Sequence, residues 1–463
     1  MENKDKEKVI KSFFIEGLFG YKNIHLKFNS TALVLIGENG YGKTTVLNSL
    51  YYLLKRDYHS LLRVNFDRIG ISIGNLDYTF SKDSIRSYCE YLQTRRNNDT
   101  SIISYVRDNT TNEEWLFLKN NIQDKDKRNE IFNLLKKNQA LGQLPPQLIY
   151  QHIFEHVEIS KKYSLFEDFA SNVDSLNTDV LYFPTYRRVE EELKNLIPNY
   201  QNISNRPESI SNFLTNDTII KFGMQDVDLR INKITDLIKS SSLKGSSIVN
   251  GSTINQLVHP QKQARKNIKF NEDEIRIILN RIGTVGDEEK KIILEEIASN
   301  DSALYQNSLL VFFLEQLLNV YNDQIKYDSL LKQFRDICNK YIVDKEFHYD
   351  EIAVTLKMYR KINGMVDIND RSFLRLSQLS SGEKQIISIF SRIYLEPDKH
   401  FIVLFDEPEL SLSLYWQENL LPDIMNSGRC DFLLAVTHSP FIFNNELKNC
   451  VIGIKEFVSN GNK

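Results

Sequence analysis

Ala32-Leu33-Val34-Leu35-Ile36-Gly37-Glu38-Asn39-Gly40-Tyr41-Gly42-Lys43-Thr44-Thr45 is the stretch that decides the fold. Its first five residues form an unbroken apolar run, as in a strand buried on both faces. A glycine-rich turn follows, and then a helix-forming run from Lys43 to Leu54. Residues 37–44 fit the pattern G-x-x-x-x-G-K-[ST]. In that pattern Gly37, Gly40 and Gly42 let the backbone around Asn39 curl until several N–H groups point inward at phosphate oxygens. The helix that begins with Lys43, Thr44 and Thr45 adds its positive end. Lys43 would reach the β- and γ-phosphates, and the Thr44 hydroxyl would ligate Mg2+.

Upstream of this stretch, Val9–Ile15 and Ile24–Phe28 read as strands; downstream, Phe66–Ile73 alternates in the same sense. Residues 83–170 are polar and mostly helical in pattern, and Val180–Phe183 is a short apolar strand stopped by Pro184. The Ser/Gly-rich residues 241–256 read as a flexible connection. Two helical patterns follow, near 272–299 and 302–341, and strand-like pieces near 347–368.

Three further motifs stand near the C-terminal end. Phe401–Phe405 is an apolar strand that delivers Asp406 and Glu407 at its carboxyl end, where α/β sheets place ligands. Asp406 is the candidate metal residue with Thr44, and Glu407 the group that would orient the attacking water. Just upstream, Leu379-Ser380-Ser381-Gly382-Glu383 opens a helix-forming run. Ser380 with Glu383 is a capping box, and the small residues Ser380, Ser381 and Gly382 at a helix start can also receive an anion. Finally, the strand Phe432–Val436 leads through Thr437 to His438, which could sense a γ-phosphate.

In order and spacing this set resembles that of ABC-type ATPases, in particular the heads of SMC, RecF and OLD-like proteins. The resemblance implies an α/β fold: a P-loop NTPase of the ABC-head type, with a mixed β-sheet lobe, a helical lobe and a mostly helical insertion. It divides the chain into residues 1–82 (N-terminal part of the head with Walker A), 83–178 (helical insertion) and 179–240 (closing strand of lobe I and following helices). Residues 241–344 then form a linker and hairpin-like helical insertion, and 345–463 carry signature, Walker B and switch histidine.

The resemblance further implies ATP and Mg2+ as ligands, with Lys43, Glu407 and His438 in catalysis. It implies a site completed by Ser380 and Gly382 of a second copy, hence a dimer or a ring of dimers. The signature reads LSSGE, with Ser381 where the family carries Gly, and no glutamine follows Phe183; Gln225 is a Q-loop candidate by residue type alone. Tyr182-Phe183-Pro184-Thr185-Tyr186-Arg187-Arg188 resembles a segment of small ABC-like ATPases in anti-phage systems, the AriA-like subunit of PARIS and the PtuA-like subunit of Septu. That resemblance implies a separate nuclease or toxin partner and a phage-derived trigger. The chain runs only a short way past His438, so a C-terminal TOPRIM nuclease like that of OLD proteins is not expected.

Composition narrows the alternatives. The formal charge is −3, so nucleic acid would have to meet a local patch such as 262–269, and a DNA-repair clamp is the second reading. The cysteines Cys89, Cys338, Cys430 and Cys450 are scattered without a CxxC pair, which points to a reducing cytoplasm. The charged start has no apolar signal region, and no apolar run reaches the length of a membrane span, so no membrane partner is expected. His152 and His156 lie one helical turn apart without a third ligand, a poor metal site.

Overall fold

The computed structural model describes residues 9–38, 40–98, 102–138, 141, 144–185, 224–259, 270–283, 285–298, 307–366, 368 and 373–460. The chain forms two units. The first comprises residues up to Arg188 with His400–Pro408 and residues from Asp431 onward; the second comprises Val189–Lys399 and Glu409–Cys430.

The first unit opens with β1 (Ile10–Leu18), β2 (Lys22–Lys27) and β3 (Ala32–Ile36), then α1 (Lys43–Leu54), α2 (Tyr58–Leu62), β4 (Arg68–Ile73) and β5 (Leu76–Ser81). Six helices follow: α3 (Lys82–Asn98), α4 (Ile102–Asp108), α5 (Asn112–Asn121), α6 (Arg128–Lys137), α7 (Pro146–Lys162) and α8 (Ser164–Ser175), before β6 (Thr178–Phe183).

Two sheets carry this unit. The antiparallel one runs β2-β1-β4-β5, with a C-terminal strand, Val458–Asn460, beside β2. Its strands alternate as a half-buried sheet should: Phe13 faces Leu26 on one side and Ile71 on the other. In the second sheet β3 is fully apolar and buried along Ala32–Leu35. The order there is Val451–Gly453, β3, Cys430–Val436, His400–Asp406, β6. Val451–Gly453 and Cys430–Val436 run parallel to β3, and β6 runs parallel to His400–Asp406 with Phe183 opposite Phe405. One core joins both sheets to α1 and α8, through Phe13, Leu50, Ile71, Phe169, Leu404 and Leu434. Helices α4–α7 close a separate small core around Val106, Leu118, Ile131 and Ile153.

The second unit is built on two 34-residue helices, α9 (Gln225–Val258) and α12 (Ser308–Tyr341), with α10 (Glu272–Ile282) and α11 (Asp287–Ala298) between them in sequence. Residues 241–256, read from composition as a flexible connection, lie within α9. Ser242, Gly245 and Val249 fall on the buried face of the helix. A Cβ added at Gly245 would stand 2.3 Å from Val320 of α12, so glycine is what lets the two helices approach. The pattern near 272–299 is likewise two helices, because Gly283 turns left-handed at φ +65° and ends α10. A buried ion pair crosses this bundle. Arg281 donates to both oxygens of Asp328 at 2.9 and 2.7 Å, and Tyr349 donates to the same carboxylate.

A small sheet of β7 (Lys345–Asp350), β8 (Thr355–Ile362), β9 (Met365–Val366) and β10 (Phe373–Leu374) leads into α13 (Ser381–Tyr394). The strand β11 (His400–Asp406) returns the chain to the first unit. Helix α14 (Leu414–Met425) belongs to the second unit, and β12 (Cys430–Val436), β13 (Val451–Gly453) and β14 (Val458–Asn460) complete the sheets of the first.

Candidate phosphate site and signature turn

The phosphate loop connects β3 to α1. Gly42 sits at φ +87°, and a Cβ there would press on Leu18 and Phe19 at 3.3–3.4 Å. The left-handed backbone is what favours glycine here; the side-chain contacts would need only a small shift. Gly40 is left-handed too, at φ +85°, and Asn39 lies outside the described residues. Lys43 is almost wholly buried, 6% exposed, and its ammonium donates to the carbonyls of Gly37 at 2.7 Å and Glu38 at 3.0 Å. Thr44 and Thr45 occupy the first turn of α1, and the Ser49 hydroxyl donates back to the Thr45 carbonyl at 2.7 Å.

β11 brings its carboxylates to this loop. Asp406 is 1% exposed. The Thr44 hydroxyl donates to its Oδ1 at 3.1 Å, and the Thr185 hydroxyl donates to its Oδ2 at 2.8 Å. Glu407, next in sequence, lies at φ +51°, a region that side chains other than glycine and asparagine seldom adopt. Its N–H donates to the Val436 carbonyl at 2.8 Å, which ties the end of β11 to the end of β12. Beyond β12, Thr437 is buried, its N–H donates to the Leu35 carbonyl of β3 at 3.1 Å, and His438 stands exposed past the carboxyl end of the strand. The loop's outer rim is braced by two lysines. Lys22 donates to the Gly40 carbonyl and lies 5.1 Å from the Tyr41 ring centre; Lys455 pairs with Glu38 at 3.1 Å and also covers Tyr41. The hydrogen bonds of Glu38 and Tyr41 raise the Lys455 ammonium above its usual pKa.

The arrangement can be tested for a divalent cation. Mg2+ prefers oxygen ligands, keeps several waters, and is commonly held by one or two carboxylates together with substrate phosphates. Thr44 Oγ1 and a buried Asp406 beside a phosphate-binding turn supply such a set. Among the described residues no group of three or more His, Cys, Asp or Glu is placed to hold a metal. A cation here would accordingly rely on hydroxyl, carboxylate and phosphate oxygens.

The signature turn lies in the second unit. Ser380 caps α13, accepting from the Glu383 N–H at 3.4 Å, while Glu383 Oε2 accepts from the Ser380 N–H at 2.8 Å and from its hydroxyl at 2.9 Å. The capping box read from sequence is formed, at the turn that is also the candidate signature. Lys345 of β7 donates to the other oxygen of Glu383 at 2.6 Å. Burial opposes ionisation of Glu383, but the bonds from Lys345 and from the Ser380 amide and hydroxyl outweigh it and hold the carboxyl below its usual pKa. Ser380 and Ser381 are exposed, whereas Gly382 is buried. A Cβ on Gly382 would meet the Ser411 carbonyl at 2.6 Å and Trp416 at 3.0 Å.

Gln225 is the exposed first residue of α9 in the second unit, following Met224 at φ +60°. Arg187, Arg188 and the basic stretch 262–269 lie outside the described residues. The hold of Thr185 on Asp406 and the contacts of Lys345, Lys22 and Lys455 escape a reading of motifs, because each is made to a residue distant in sequence. Of these, Thr185 had a local signal, its place in the quoted segment 182–188 just after Pro184, which stops β6. Among the described residues no helix is long and apolar enough to cross a membrane.

A buried parallel strand, a glycine turn closed by a lysine, a helix whose threonine meets the aspartate of a second strand: this is an α/β P-loop NTPase. The chain belongs to the family described as "AAA domain, putative AbiEii toxin, Type IV TA system", which matches residues 32–444, from β3 to just beyond His438. Among solved structures, the chain is similar to the Smc head domain of Pyrococcus furiosus bound to the C-terminal domain of ScpA. Identity is 12% over 96% of this chain and 92% of that one, with a TM-score of 0.33. It is similar at 12% identity to the Smc head of Pyrococcus yayanosii, with 96% and 94% of the chains covered and a TM-score of 0.31. A Smc head bound to the C-winged helix domain of ScpA is also 12% identical, over 94% and 90% of the two chains, with a TM-score of 0.32. No curated protein matches the chain.

Proposed function

We propose that the chain binds and hydrolyses ATP as an assembly of two or more copies, and that this cycle controls a separate effector, a nuclease or toxin, in defence against phage. The observation that carries the ATPase reading is the hydrogen bond from Thr44 of the phosphate loop to the buried Asp406 of β11. It joins the two halves of a nucleotide site across 362 residues. The toxin setting draws its support from the family's description and from the sequence segment Tyr182–Arg188, which resembles one in anti-phage ATPases.

Each residue has a part set by its chemistry. The Lys43 ammonium would move from the loop carbonyls to the β- and γ-phosphates. Thr44 and Asp406 would hold Mg2+, which when bound supplies charge neutralisation between those phosphates. Glu407 would orient the attacking water and accept its proton. His438, exposed at the end of β12, would hydrogen-bond the γ-phosphate. Ser380 and Gly382 of a second copy would close on the phosphates. The exposure of Ser380 on the start of α13 supports its part in that role; Gly382 is buried in the single chain. The place of action is the cytoplasm.

The test uses the full chain with Glu407→Gln, purified with ATP and Mg2+ from its native host. Hydrolysis falls by about 10²–10⁴-fold, the range for losing a positioned base. Light scattering should show an ATP-stabilised dimer or larger ring, and mass spectrometry a co-purifying nuclease or toxin subunit. A monomer with full ATPase activity defeats the shared-site reading. A homo-oligomer that carries DNA and no protein partner replaces the effector reading with a DNA clamp.

A further inference from the structure

The Asp406 carboxylate is gripped on both oxygens, by Thr44 of the phosphate loop and by Thr185, to which no role in the nucleotide site has been given above. β6 lies parallel to β11 with Phe183 opposite Phe405. Pro184 has no N–H to continue the ladder. The chain leaves the sheet there, and Thr185 comes to lie beside the end of β11. Its hydroxyl donates to Asp406 Oδ2 at 2.8 Å, a shorter bond than the 3.1 Å from Thr44 to Oδ1. A carboxylate 1% exposed is thereby fixed in rotation from two directions, by α1 and by the turn after β6.

We propose that Thr185 is a positioning residue of the metal site. It fixes how Asp406 presents its oxygens to the cation, and so sets affinity for Mg2+ and preference for Mg2+ over larger ions. The inference rests on the nucleotide-site reading given above. Its physical basis is the rigidity that Mg2+ demands. A small ion with near-octahedral geometry is sensitive to the direction of each oxygen, whereas Ca2+ accepts longer and more varied contacts. An outer hydrogen bond that orients a ligand typically changes metal affinity by about 10–100-fold when removed.

The test compares Thr185→Val, which keeps the shape and removes the hydroxyl, with Thr185→Ser, which keeps the hydroxyl. Binding of a fluorescent ATP analogue to the full chain is followed by anisotropy as Mg2+, and separately Ca2+, is titrated. For Thr185→Val the Mg2+ concentration at half-maximal binding should rise about 10–100-fold, with a smaller change for Ca2+. Thr185→Ser should titrate close to wild type. Thr185→Ala, read the same way, keeps the test open if valine is not tolerated. A hydroxyl-free variant that titrates like wild type, while Asp406→Ala loses its Mg2+ dependence, overturns the role of Thr185 and leaves the ATPase reading intact. Equal shifts for Thr185→Ser and Thr185→Val overturn it as well. If wild type and Lys43→Ala bind the analogue alike, the nucleotide-site reading itself fails, and this inference with it.

Discussion

The phosphate loop with Asp406 and the turn at Ser380, the two places proposed to meet phosphate, are built in opposite ways. The first is assembled from afar: Asp406 is met by Thr44 from 362 residues away and by Thr185 from 221. It exists only when two parallel strands and a helix are in register. The second closes within residues 380–383 as a reciprocal cap, to which tertiary structure adds Lys345 on Glu383 and Ser411 and Trp416 against Gly382. A centre built by the sheet is as rigid as the sheet. The cap, by contrast, is closed by neighbouring residues before any distant contact is added.

The strongest way to break this contrast is Gly382→Val. The added side chain meets a main-chain carbonyl that cannot swing away, so the cost should be about 1–3 kcal/mol, as for overpacked sites. Thermal denaturation should show that loss, and ATP hydrolysis should fall with it. Nucleotide binding at Lys43 should persist. If binding falls as far as hydrolysis, the two regions are not separable in the way their construction implies.

A smaller effect sharpens the same point. Ser380→Ala removes a cap, at about 1 kcal/mol. Glu383 adds a pH signature whose sign follows from its lowered pKa. Stability from its ionised form is fully present above the unfolded glutamate value, about 4.3, and is lost as pH falls through the lower folded value. Denaturation of wild type and Glu383→Gln should thus differ most near neutral pH and converge in acid. Lys345→Met should narrow the gap at neutral pH, because Lys345 supports the ionised form. A gap that does not change with pH would remove the ionised Glu383 from the account of the turn.

The same contrast explains what could be read in the sequence. Helix α1 begins at Lys43 and ends at Leu54 as its pattern indicates, and β3, β6 and β12 lie where apolar runs place them, because each signal is carried by adjacent residues. The turn at Ser380 was legible for the same reason. The Ser/Gly-rich stretch 241–256 was not, since composition cannot show that Gly245 and Ser242 share the face that packs on α12. β14 has three residues and no alternation to announce it; it is held by pairing with β2. At the phosphate centre the motif residues were legible one by one, whereas the hold of Thr185 on Asp406 depends on the parallel register of β6 and β11.

The smallest effect tests whether the long-range centre stores strain. Glu407 is held at φ +51° while its N–H is fixed to Val436. For a residue of this kind the left-handed region costs about 1–2 kcal/mol, and such costs collect at functional positions. Asparagine tolerates this region better, because its short polar side chain can bond locally. Glu407→Asn should therefore lose hydrolysis and gain about 0.5–1 kcal/mol in stability, whereas Glu407→Gln should lose hydrolysis without the gain. The main-chain bond to Val436 does not depend on the side chain, so both variants should keep the turn. The measurement is chemical denaturation of the three proteins side by side. Equal midpoints for Asn and Gln would show that the sheet holds this turn without strain, and that the position of Glu407 costs the fold nothing.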